Sequence, residues 1–219
     1  MMNSVPAPAS SREAYHHGDL RSALLDAATE MLEAGESFSM RAVARRAEVS
    51  QTAPYRHFAD RDALESALAV RGFDELRHRL SLDSSPAGSE DELLDFAVAY
   101  VRFALDRPAV FRLMFGRECD DRDDERVRAA GELRALLAGS LRERFPAADH
   151  DALATALWSL THGLAFLHLD GKLAADDPGV VAERVWGAFT ALRTAFGAQQ
   201  PAANPARLGE ADRGADRGE

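Results

Sequence analysis

At 219 residues, with 46% hydrophobic and 28% charged residues, the chain can bury the core of one compact domain or two small ones. It has no run of about 18 uncharged apolar residues and no cationic flank with an apolar stretch at its start, so neither a membrane span nor a signal peptide is expected. A lone cysteine, Cys119, allows no intrachain disulfide and fits a reducing, cytoplasmic setting, where the thiol beside Asp120 and Asp121 reads as passive. The net charge of -10 speaks against nucleic acid only until its placement is considered. Between Ser37 and Arg61 the charged residues are Arg41, Arg45, Arg46, Arg56 and Arg61 against Glu48 and Asp60, a basic window in an acidic chain.

Residues 1–13, rich in Ser, Pro and Ala, and residues 199–219, which repeat Ala-Asp-Arg-Gly, read as disordered ends. Everything between carries helical periodicity and no alternating strand pattern. A first helix is predicted from Gly18 to Ala34, with Leu20, Leu24, Ala28 and Met31 on one face and Gly35 as its stop. Ser39 is the expected N-cap of a short helix to Ala47, Ser50 of another to Phe58, and Asp60 of a longer one to about Leu80. After a break at Ser81–Ser89, a capping box at Ser89–Glu92 opens a helix to about Leu105. Pro108 starts a short apolar helix to Phe115, and an acidic loop runs from Gly116 to Asp124. Glu125 to Phe145 is amphipathic and ended by Pro146. His150–Leu169 and Pro178–Phe196 close the chain as its most apolar helices. The expectation is an all-α protein of about nine helices: a three-helix head over 14–62, a connecting helix and linker over 63–88, and a helical bundle over 89–198.

The stretch Ser39 to Phe58 has the grammar of a helix-turn-helix. Ala44 and Ala47 are small where two crossing helices must approach, and Val43, Val49 and Phe58 anchor the pair. Gln51, Thr52, Tyr55 and Arg56 are then expected on the exposed side of the second helix, near its start, where side chains reach base edges in a major groove. Gln51 suits adenine, the methyls of Thr52 and Ala53 suit thymine, and Arg41 suits guanine. Tyr55 and His57 are placed for phosphates, as are the backbone N–H groups that Ser50 begins. An ordinary helical hairpin with a wet face is the alternative on spacing alone. Pro54 is compatible with a helix starting at Ser50, since its missing N–H falls in the first turn.

These residues resemble the tetracycline-repressor (TetR/AcrR-type) family of regulators. The head resemblance covers Tyr15 to about Leu80, through Tyr15-His-His-Gly-Asp-Leu-Arg21, Arg41-Ala-Val-Ala-Arg45 and Val49-Ser-Gln-Thr-Ala-Pro-Tyr-Arg-His-Phe58. It implies that Arg41, Gln51, Thr52 and Ala53 face bases, while Ser39, Tyr55, His57 and Arg61 hold phosphates. The body resembles a subgroup named for a Trp-His-Gly signature, here Trp158, His162 and Gly163, with Phe111-Arg-Leu-Met-Phe-Gly116 alongside. That implies a homodimeric repressor of a double-stranded DNA operator, assembled through its last two helices and released by a small molecule bound in the body. Glu48 departs from the family's usual turn Gly, and Pro54 from its usual Leu.

Phe103, Phe111, Met114, Phe115, Trp158, His162 and Phe166 are the candidate pocket residues, although aromatic residues at helical spacing serve equally as core. Val181, Val185, Trp186, Phe189 and Leu192, with Leu157 and Leu160, are the candidate dimer residues; the last helix could instead bury them within its own chain. His162 and His168 lie six apart, on different helix faces, and the acidic loop lacks calcium-loop spacing, so no metal and no cofactor is expected. No nucleophile elbow or consistent acid–base spacing points to an enzyme.

Overall fold

The computed structural model describes residues 11–36, 38–82, 92–116 and 125–197. Among them the chain forms eight α-helices and one 3-10 turn, and no strand. The helices are α1 (Ser11–Glu33), α2 (Met40–Arg46), α3 (Arg61–Leu82), α4 (Glu92–Asp106), α5 (Pro108–Phe115), α6 (Glu125–Arg144), α7 (His150–Leu169) and α8 (Pro178–Gly197). The expected loop beyond Gly116, the start of the capping box, Cys119, residues 1–10 and residues 199–219 lie outside the described residues, whereas residues 11–13, expected in the disordered start, belong to α1.

Local signals place most boundaries. Gly35 adopts φ 65° just past α1, and Glu36 N donates to Met31 O at 2.9 Å, which closes the helix. The Ser39 hydroxyl accepts from Ala42 N at 3.1 Å and opens α2. The Asp60 carboxylate accepts from Ala63 N at 2.8 Å and opens α3, and Asp149 does the same for α7 through Ala152 N. Two expectations are corrected. α1 begins at Ser11 rather than Gly18, because nothing between them breaks a helix and a single Gly costs only about 1 kcal/mol. The segment expected as a helix from Ser50 to Phe58 is a turn followed by the 3-10 element Pro54–Arg56. Its bonds run Ala53 N to Ser50 O, Arg56 N to Ala53 O and His57 N to Pro54 O, all with i→i+3 spacing.

α3 is shared by two cores. Its N-terminal half sends Leu64, Ala67 and Leu68 into a head core with Leu24, Met31, Val43 and Phe58. Its C-terminal half sends Phe73, Leu76 and Leu80 into the body core with Tyr100, Phe103, Phe111 and Leu133. α7 packs on α4 and α6, and α8 packs on α4. By length and composition α7 is apolar enough to cross a membrane, with a mean hydropathy of 1.3. Its Ala154, Thr161, Ala165 and His168 are buried in the protein core on the side that packs on α4 and α6, while its opposite side is exposed.

α5 lies against α3 at Gly72. A Cβ there would sit 2.7 Å from Met114 Sδ and 2.8 Å from Val110 Cγ1, so any larger residue would push these side chains aside. Gly72→Ala is therefore expected to destabilise the fold by about 1–3 kcal/mol, read as a lower thermal midpoint. Val110→Ala in the same chain should return part of the loss; a Gly72→Ala protein as stable as the parent would contradict the close contact.

Candidate functional site

The helix-turn-helix is built on buried anchors. Val43 and Ala44 of α2 are fully buried, and Phe58 is 3% exposed beneath the guanidinium of Arg21, 5.4 Å from its ring centre. The turn between α2 and the 3-10 element passes through Glu48 at φ 56°, a left-handed residue where glycine is cheaper. The departure from glycine seen in the sequence therefore carries a cost: Glu48 bears strain that Gly would not. Arg41, Gln51, Thr52, Tyr55 and Arg56 are all exposed, Tyr55 by 54%. Arg41, Arg45 and Arg56 form no ion pair among the described residues. Arg46 is committed to Glu30 and Glu36, at 3.3 and 2.5 Å, and Arg61 to Glu65 at 2.7 Å while lying over Phe38. The positive window is thus narrower than its composition suggests.

The 3-10 geometry changes which side chains face out. Ala53 and Pro54 are buried, so the Ala53 methyl points into the head rather than toward a base, and His57 is half-buried. The Ser50 hydroxyl lies 3.3 Å from that of Thr52 at the exposed start of the turn. The Ser39 hydroxyl, though accepting from Ala42 N, keeps its own proton to donate.

In the body the candidate pocket residues divide. Phe103 and Phe111 are fully buried and Met114 is 5% exposed. Phe115, Trp158, His162 and Phe166 are half-buried and gather around the His162 ring, with Phe115 at 4.5 Å and Phe166 at 4.8 Å between ring centres. Sequence reasoning passed over Tyr100, which links this cluster. The Trp158 indole N–H donates to Tyr100 Oη at 3.1 Å, and Tyr100 Oη lies 2.9 Å from His162 Nδ1. An indole only donates, so the Tyr100 oxygen accepts from Trp158 and keeps its own proton to share with His162 Nδ1. Burial pushes the Tyr100 hydroxyl well above the usual tyrosine range and keeps it protonated. A polar-tipped aromatic in line with Ala97, Val101 and Ala104 on the buried face of α4 was the available signal.

The candidate dimer residues also divide. Val181 and Val185 are buried in their own chain's core, which corrects the expectation that they face a partner. The reason is that α4 occupies that side of α8. Leu157, Leu160, Phe189 and Leu192 line an apolar cleft of about 490 Å³ floored by Leu93 and Leu94 at the start of α4. Trp186 and Leu192 are 37% and 42% exposed.

Two histidines give the body a pH dependence. Burial holds His162 below the ordinary 6.5. His168, 3% exposed, is held lower by burial first and then by Arg184, against the pull of the Ala174 and Leu173 carbonyls. Neither His168 nitrogen reaches a hydrogen bond of good geometry. The unfolded chain takes up protons near pH 6.5 that the folded chain resists, so stability is full above that pH and falls as pH drops through it. Urea unfolding at about pH 5.5 should show a lower midpoint than at about pH 7.5, and His168→Gln should shrink the difference. An unchanged midpoint would mean that these rings are solvated.

Comparison with known proteins identifies both parts. Residues 24–68 match the family described as bacterial regulatory proteins, tetR family, and residues 93–205 match the tetracyclin repressor-like C-terminal domain. A protein of unknown function from Rhodococcus sp. RHA1 is similar over 82% of this chain and 97% of its own, at 30% identity and a TM-score of 0.67. The HTH-type transcriptional regulator YobS of Bacillus subtilis is 26% identical over 148 residues, 66% of this chain and 76% of its own. A bacterial regulatory protein in the tetR family from Rhodococcus RHA1, at 19% identity, shares the fold, with a TM-score of 0.56 over 75% of this chain and 92% of its own. A helix-turn-helix head on a helical body, with both halves matched, places the chain in the TetR family of transcriptional regulators.

Proposed function

We propose that the chain is a cytoplasmic, ligand-responsive homodimeric repressor that reads a pseudo-palindromic operator through the major groove and leaves it when a small molecule occupies the body. The observation that carries this reading is the exposed row Arg41, Gln51, Thr52, Tyr55 and Arg56 on a rigidly anchored helix-turn-helix, in which Arg41 and Arg56 have no ion-pair partner among the described residues. Arg41 and Gln51 can pair with base edges, and Ser39, Tyr55, His57 and Arg61 can hold phosphates. In functional terms the chain divides into a head over 14–62, a connector over 63–88 and a body over 89–198, flanked by the two ends. The regulator needs no catalytic residue, cofactor or metal.

Anisotropy of a labelled duplex from the gene's upstream region, or one recovered by random-site selection, tests the reading across a salt series. Binding should be specific and weaken with salt. Arg41→Ala should lower affinity by about 5–150-fold, and Tyr55→Ala should weaken all sequences alike. Unchanged binding in both folded variants would remove the site assignment. Failure of selection to enrich any sequence would remove the regulator reading.

The dimer reading is supported by the outward faces of α7 and α8. Ala152, Ser159, Gly163 and Leu167 share one side of α7, and Val180, Gly187 and Thr194 one side of α8, all exposed. A Cβ on Gly163 or Gly187 would meet nothing within 4 Å, so both glycines leave room for a partner's helix rather than for their own chain. The parent should run as a dimer in light scattering, and Gly163→Arg with Gly187→Arg should give a folded monomer. A dimer that survives both substitutions must use another face.

A further inference from the structure

We propose that Glu33 is the residue that couples the head to the aromatic cluster of the body, an inference that rests on the regulator reading above. Glu33 is the last residue of α1, and its carboxylate leaves the head to hold the start of α5. Ala109 N donates to Glu33 Oε2 and Val110 N to Glu33 Oε1, both at 3.1 Å, from 76 and 77 residues away. Pro108 has no N–H, the Arg107 cap residue supplies no side-chain cap, and Phe111 N is already bonded to Arg107 O at 2.8 Å. The carboxylate therefore takes the two free amides at that end of α5. Nothing in α1 itself asks for an acid at this position, because a carboxylate at a helix C-terminus opposes the helix dipole. At the N-terminus of α5 the same charge is favoured.

The other end of α5 reaches the cluster. Phe111 and Phe115 lie 5.7 and 4.5 Å from the His162 ring, and Arg112 donates to Leu169 O at 3.1 Å at the end of α7. α5 is eight residues long, a rod of about 12 Å, and it packs directly on α3 with Val110 and Met114 over Gly72. A shift of Phe115 or His162 is thus carried along one rigid helix to a carboxylate fixed on α1, and a reorientation of α1 is carried back. Coupling between DNA and effector must be reciprocal, so the head can be used to interrogate the body with no effector in hand.

Trp186→Phe leaves Trp158 as the single tryptophan, hydrogen-bonded to Tyr100 and 6.4 Å from the His162 ring. In this background the selected duplex is titrated while Trp158 emission and duplex anisotropy are followed together. Emission should change as the duplex saturates. In Glu33→Gln the duplex should still bind by anisotropy while the emission change is lost, and amide exchange at Ala109 and Val110 should quicken. A merely structural role for Glu33 would not separate binding from the emission response. Should Glu33→Gln fail to fold, Ala109→Pro removes one of the two donors in the helix's first turn, where proline is tolerated, and is read in the same way. An emission response that survives in the folded variant, or no response in the parent with duplex bound, overturns the coupling role alone. Absence of duplex binding in the parent overturns the regulator reading and this inference with it.

Discussion

The structure turns on the seating of α5 between the two parts of the molecule. Gly72 lets the helix lie directly on α3, Glu33 of the head holds its first amides, and Phe111 and Phe115 enter the aromatic packing of the body. These contacts differ in kind: a steric permission, a charge-assisted cap and apolar burial. A short helix of this length has little stability of its own, so its existence depends on being held from outside.

The head shows how backbone geometry over a few residues reshapes an interface. Pro54 could have served in the first turn of an α-helix starting at Ser50. The chain closes i→i+3 bonds from Ser50 to His57 instead, and the i→i+4 bond from Phe58 N to Pro54 O comes only at the end of the segment. Ala53 and Pro54 turn inward as a result, leaving Gln51, Thr52, Tyr55 and Arg56 as the outward set. Glu48 stores a little backbone strain at the preceding turn, offset by the burial of Val43 and Phe58 on either side of it.

Much of the fold was legible because its signals are local. Ser39, Asp60 and Asp149 cap the helices that follow them, Gly35 ends α1 and Pro108 begins α5, each through bonds spanning only a few residues. The contacts that were not legible join positions far apart. Tyr100 meets Trp158 and His162 from 58 and 62 residues away, and Glu33 meets α5 from 76. No periodicity in α1 marks a glutamate as the cap of another helix. Val181 and Val185 have the apolar spacing of an interface, and only the position of α4 decides that they serve their own core. The Trp158–Tyr100–His162 hydrogen bonds likewise required two helices, α4 and α7, to be in place.

Because α3 contributes Leu64, Ala67 and Leu68 to one core and Phe73, Leu76 and Leu80 to the other, no peptide bond within it separates two self-sufficient parts. A chimera that grafts this head onto another regulator's body must carry the helix through Leu68 and must also bring a partner for the orphaned Glu33 carboxylate. The unit that can be exchanged between relatives is therefore the head together with half of the connecting helix and the helix start that Glu33 holds.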